Sequence, residues 1–146
     1  MMVRSEGRGT VFLATVALMG CATSAGGQPE SIGASPPASN GVYSAEQAQR
    51  GRQAFTEVCS ECHSSSEFRG RDFEFTWRRR TAWDLYRELR RTMPEDFPGA
   101  LPPQTYVDVI AYVLEINDYA PGSVELEPDE ESLRQVPLGP GANKGG

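Results

Sequence analysis

The sequence predicts a small all-helical domain with long loops, set between an N-terminal leader and an acidic tail. Three observations predict it. Ser44 with Gln47 and Thr81 with Asp84 have the spacing of helix-opening capping signatures. Tyr106, Val109, Ile110, Val113 and Leu114 repeat at helical spacing. Only one short alternating stretch is present, around Phe73, Phe75 and Trp77, with no second strand to pair with it. A chain of 146 residues has room for one domain with a small core.

The elements follow in order. Residues 1–20 open with Arg4 and Arg8 and continue as the uncharged run Thr10–Gly20. A membrane span needs about 20 apolar residues, so this shorter run reads as a signal peptide. It ends in Leu18-Met19-Gly20-Cys21, which resembles a bacterial lipobox. That resemblance implies cleavage before Cys21, lipidation of its thiol, and a protein anchored on the periplasmic side of a membrane. Residues 21–41, rich in Gly, Ser, Ala and Pro, are expected to be a flexible linker after the lipidated Cys. Patterned sequence occupies 42–120. A first helix is expected from Ser44 to about Val58, with Gly51 and Phe55 on one face. A second runs from Thr81 to about Thr92 with Leu85 and Leu89 in its apolar stripe. A third starts at Pro102-Pro103, with Asp108 and Glu115 on its solvated side. Phe73, Phe75 and Trp77 are expected to line a loop. Residues 121–146 are expected to be an acidic, partly disordered tail, with a short helical turn from Pro128 that brings Leu133 to the domain.

Composition narrows the chemistry. With 14 basic and 20 acidic groups the formal charge is -6, which argues against nucleic acid as a partner. Loss of residues 1–20 would remove Arg4, Arg8 and Glu6 and leave -7. The single histidine excludes a two-Cys, two-His zinc finger, a multi-histidine catalytic zinc site and a bis-histidine haem. A domain so poor in large aliphatic residues needs a staple such as a metal or a disulfide.

Cys59-Ser60-Glu61-Cys62-His63 supplies one. C-x-x-C-H is the attachment signature of c-type haem: two thiols one helical turn apart reach the two vinyl groups, and the adjacent imidazole faces the iron. The competing readings are weaker. A thioredoxin-like pair would sit in a βαβ unit, a zinc site would need further Cys or His ligands, and a plain disulfide leaves His63 without a role. After loss of the leader, Met93 is the only methionine, 30 residues beyond His63. By elimination it is the candidate sixth ligand, against the alternative of a gap-filling core side chain. His/Met ligation raises the potential and leaves no open coordination position, which suits electron transfer.

These residues carry a family resemblance. Gly51-x-x-x-Phe55-x-x-x-Cys59-x-x-Cys62-His63, Thr92-Met93-Pro94, Pro98-Gly99-x-Leu101 and Tyr106-x-Asp108-Val109-Ile110-Ala111-Tyr112-x-Leu114 resemble a class I monohaem cytochrome c over about residues 42–120. The likeness is to the small bacterial cytochromes that serve quinoprotein (PQQ-dependent) alcohol and sugar dehydrogenases. It implies a cytochrome c fold of three to four helices around one covalent haem c. The expected function is single-electron transfer outside the cytoplasm without substrate chemistry. Expected partners are a dehydrogenase donor and an oxidase or other cytochrome acceptor; the alternative is a dedicated subunit of a PQQ dehydrogenase. A haem enzyme or gas sensor would want a distal polar group such as a second His, and none is present. The resemblance also implies that the first and last helices cross at Gly51, with Phe55 and Tyr112 packed there. Two departures stand out. Pro102 replaces the usual Ser or Thr cap. The Ser64-Ser65-Ser66 run replaces the commoner apolar or Pro-containing loop and leaves the partner of His63 open.

Eight arginines lie between Arg69 and Arg91 against four acids. Two readings stay open: a basic patch that docks an acidic partner or pairs with haem propionates, and a solvated face with local ion pairs such as Glu88 with Arg91.

Overall fold

The computed structural model describes residues 40–140; the leader, Cys21 and most of the linker lie outside the described residues, as does 141–146. Five α-helices make up the described fold: α1 (Ala45–Ala54), α2 (Gly70–Trp77), α3 (Ala82–Thr92), α4 (Pro103–Glu115) and the single turn α5 (Glu130–Arg134). Two-residue strands β1 (Arg80–Thr81) and β2 (Pro137–Leu138) pair antiparallel, with Arg80 opposite Leu138. This is the small all-α architecture that the helical spacing predicts. Among the described residues no helix is long and apolar enough to cross a membrane.

α1 begins where Ser44 Oγ accepts the Gln47 N–H at 3.0 Å, but the reciprocal half of the expected capping box does not form. The Gln47 side chain is buried instead: its Oε1 accepts the Leu126 N–H at 2.8 Å, and its Nε2 donates to Leu126 O at 2.9 Å and to Asp108 Oδ1 at 3.2 Å. α1 packs along α4 because Ala48 and Gly51 are small at the contact. A Cβ on Gly51 would lie 1.8 Å from the backbone oxygen of Asp108, so only glycine permits this approach. Phe55 and Tyr112 meet beside it with ring centroids 5.5 Å apart.

Three expectations are corrected. Phe73, Phe75 and Trp77 belong to helix α2, not a loop. Residues four apart share a face in a strand and in a helix alike, so alternation does not distinguish the two. Phe73 and Trp77 share the inner face, 6.2 Å between centroids, while Phe75 points outward and is 68% exposed. Asp108, expected on the solvated side of α4, is buried. That side of α4 is covered by α1 and the Leu126 segment. The carboxylate is satisfied there by Gln47, by Arg50 Nε at 3.1 Å and by Gln104 Nε2 at 3.0 Å. Finally, burial past Ala120 goes beyond the expected contact of Leu133, which α5 does bring to the domain: Leu126, Val136 and Leu138 join the core as well. Their spacing is irregular, so no periodic signal announced them.

Asn117 closes the other end of α4. Its Oδ1 accepts the Gly70 N–H at 2.9 Å, and its Nδ2 donates to Phe68 O at 2.7 Å and Val113 O at 2.8 Å. This fixes the start of α2 against α4. The core then lies between α1, α2, α3 and α4, and its open side is the site described next.

Candidate functional site

Beyond α1 the helix widens into a π turn, Phe55–Cys59, in which the Ser60 N–H reaches back to Phe55 O at 2.9 Å. The Cys59 carbonyl then accepts the N–H groups of both Cys62 (3.2 Å) and His63 (2.9 Å). This tight turn brings the three C-x-x-C-H side chains to one wall. Cys59 and Cys62 are not joined in a disulfide, and burial pushes the Cys59 thiol pKa up. A redox-active thiol pair needs a depressed pKa on its nucleophile, so the thioredoxin-like reading finds no support here. Among the described residues, no three of His, Cys, Asp and Glu gather as a metal-binding set, which leaves the zinc reading without ligands.

His63 is part-buried. Its Nδ1 is 3.3 Å from Glu67 Oε2, and its ring meets the edge of Phe68 with centroids 5.4 Å apart. Glu67 belongs to a capping box at the start of a 3-10 turn, Ser65–Phe68; its Oε1 accepts the Ser64 N–H at 2.6 Å. That N–H and then the His63 ring hold the Glu67 carboxyl below the usual carboxylate range. The sequence signal for it is Ser64-x-x-Glu67, a capping-box spacing that puts Glu67 four residues after His63.

Met93 comes from a separate segment, the loop between α3 and α4. Its N–H ends α3 on Leu89 O at 2.8 Å; its carbonyl accepts Tyr106 Oη–H at 2.9 Å and the Gly99 N–H at 3.2 Å. Gly99 has φ +79°, a left-handed conformation that folds the loop back onto Met93. α3 itself is positioned by its Thr81–Asp84 capping box, Thr81 N–H to Asp84 Oδ2 at 2.9 Å.

Cys59, Cys62, His63 and Met93 all line one cavity of about 530 Å³, a size suited to a cofactor. Its walls are apolar: Phe55, Phe68, Phe73, Trp77, Leu85, Leu89, Leu101, Val109 and Val113. Two thiols, one imidazole and one thioether around an apolar slot fit a c-type haem, since they supply covalent attachment and both axial donors. Six carboxylates also line the cavity, those of Glu61, Glu67, Asp72, Glu88, Glu95 and Asp96, and none of the eight arginines between Arg69 and Arg91 does. The arginines turn elsewhere. Arg78 lies over Phe75, Arg80 over Trp77 and Arg90 over Tyr86, while Arg91 bonds Glu88 at 2.8 and 3.0 Å.

Residues 46–113, a little under half of the chain, match the family described as cytochrome C oxidase, cbb3-type, subunit III. Comparison with curated proteins and with solved structures finds no match. The matched span contains α1, the C-x-x-C-H turn, α2, α3, the Met93 loop and most of α4, which are the parts that build the cavity. A domain of this type implies a covalently bound c-type haem, and Cys59 and Cys62 lie within the matched span. The helices, the cavity and the match point the same way: residues 46–113 are similar to a c-type cytochrome domain.

Proposed function

We propose that this chain is a single-electron carrier working outside the cytoplasm. In this reading Cys59 and Cys62 form the two thioethers of one haem c, and His63 and Met93 are its axial ligands. The observation that carries it is that these four side chains, from two separate loops, open into the same apolar cavity. Bound there, haem c supplies a one-electron couple. The chain's own groups do the rest: the cavity walls exclude water, the Cys59 turn fixes the imidazole beside the thiols, and Gly99 and Tyr106 hold the Met93 backbone in place. With both axial positions filled, small ligands have no site to enter.

The six carboxylates that line the cavity support a partner with a basic face, because like-charged surfaces would repel. A dehydrogenase as donor and an oxidase or another cytochrome as acceptor are the proposed partners; the matched family's description itself names an oxidase subunit. Residues 1–20 as a signal peptide and Cys21 as a lipid anchor would hold the domain at a membrane surface on the periplasmic side, with 22–41 as the tether.

The test is spectroscopic. Purified protein should show haem that survives denaturation, with the thioether–iron charge-transfer band in the oxidised state. Cys59→Ala/Cys62→Ala should release its haem on denaturation; haem retained by that double variant would sink the attachment proposed here.

A further inference from the structure

We propose that Glu67 is a positioning and tuning residue for His63. Its carboxylate accepts the Nδ1–H, fixes the ring so that Nε2 faces the cavity, and lowers the reduction potential. This rests on the reading of His63 as an axial ligand.

The geometry is specific. Glu67 is anchored through one oxygen, Oε1, by the Ser64 N–H at 2.6 Å, which leaves Oε2 directed at Nδ1 from 3.3 Å. The anchor matters because a free glutamate would have no fixed direction. Here the capping box that starts the 3-10 turn Ser65–Phe68 sets it. Phe68, the next residue in that turn, meets the ring edge-on at 5.4 Å, so a single turn supplies both the acceptor and the packing surface. A carboxylate only accepts hydrogen bonds, so the proton must sit on Nδ1, and the lone pair that remains for a metal is on Nε2.

The electronic consequence follows from charge. A carboxylate draws the Nδ1 proton towards itself and leaves more negative charge on the imidazole than a neutral acceptor would. That charge favours the oxidised iron, which carries one more positive charge than the reduced form, so the potential falls. The loop of small polar residues after His63 acquires a purpose. Ser64 opens the turn, and Glu67 replaces the neutral acceptor that a plain loop would offer.

The experiment uses the holoprotein and three variants, with the potential measured by spectroelectrochemical titration. Glu67→Gln keeps the shape and removes the charge. At the wild-type midpoint its ratio of reduced to oxidised protein should rise about tenfold, a shift of about +59 mV for one electron. Ser64→Ala removes the hydroxyl that accepts the Ser66 N–H at 3.3 Å, and it should lower thermal stability with a much smaller change in potential. Glu61→Gln removes another cavity-lining carboxylate, one without a hydrogen bond to His63, and should also shift the potential less than Glu67→Gln does. An unchanged potential in Glu67→Gln, with its His/Met spectrum intact, overturns the inference. So does an equal shift in Glu61→Gln, because cavity-lining charge alone would then explain it. A wild-type spectrum without histidine ligation would overturn both this inference and the ligand reading beneath it.

Discussion

Gly51 on α1 lies directly against the carbonyl of Asp108 on α4, so close that a Cβ would stand 1.8 Å from the oxygen and 2.4 Å from the carbonyl carbon. Both obstacles are backbone, and no rotamer change can relieve them. Gly51→Ala is therefore expected to force the two helices apart. Overpacking in a core typically costs about 1–3 kcal/mol, and a backbone clash belongs at or above the top of that range. For a domain of this size that is a fall in melting midpoint of more than about 10 °C. Thermal denaturation followed by circular dichroism reads it directly; a midpoint within a few degrees of wild type would show that the crossing can slide.

Asp108 itself is the second test. Its buried carboxylate receives Gln47, Gln104 and two nitrogens of Arg50, and Gln47 in turn holds the Leu126 backbone. In Asp108→Asn one oxygen becomes an N–H donor that faces donors, so at least one buried amide or guanidinium bond is lost. The expected cost is about 1–3 kcal/mol, measured by chemical denaturation. Arg50 is 45% exposed on its side chain, so the salt-bridge part should contribute little and depend on salt. Raised ionic strength should leave most of the difference intact.

These two residues also show what a sequence can disclose. Gly51 could be read in advance only through the family resemblance, since nothing local marks a glycine as a helix crossing. The C-x-x-C-H turn was legible without any fold because its chemistry is confined to five neighbouring positions. Met93 followed from counting. Gln47, Asp108 and Asn117 were not legible, because the partners that fix them across the fold lie 47 to 79 positions away and a buried polar residue looks like a surface one until those neighbours are known. Leu126, Val136 and Leu138 were hidden for a similar reason, since their spacing has no period, whereas Leu133 was expected from the helical turn after Pro128. The eight arginines left two readings open; none of them lines the cavity, and the Arg91–Glu88 pair fits the solvated face with local ion pairs.

Met93→Ala tests the proposed distal ligand. The thiols and His63 are untouched, so haem should remain covalently attached, and the charge-transfer band of the oxidised protein should disappear. Thioether ligation raises the potential, so the variant should be harder to reduce, by more than the about 59 mV that corresponds to a tenfold change for one electron. Persistence of the band would remove Met93 from the coordination sphere. The fold should survive, because the contacts that pin this loop, from Gly99 and Tyr106, go to the Met93 backbone carbonyl.

Tyr43 gives the domain an alkaline limit. Its ring is fully buried beside α1, its hydroxyl donates to Tyr119 O at 2.5 Å, and its pKa is pushed up from 10.0 to about 12, first by burial and then by the charge of Glu115. The folded state therefore holds the phenol proton more tightly than the unfolded chain does. The resulting stability is fully present below pH 10 and is lost as pH rises towards about 12, because the unfolded chain then releases a proton that the folded one must keep. Tyr43→Phe should lose about 1 kcal/mol at neutral pH with the missing hydrogen bond. The same variant should lose less stability than wild type between pH 10 and 12, so that the two curves converge. Denaturant titrations at pH 7, 10 and 11.5 would measure both effects, and parallel curves would show that another group sets the alkaline limit.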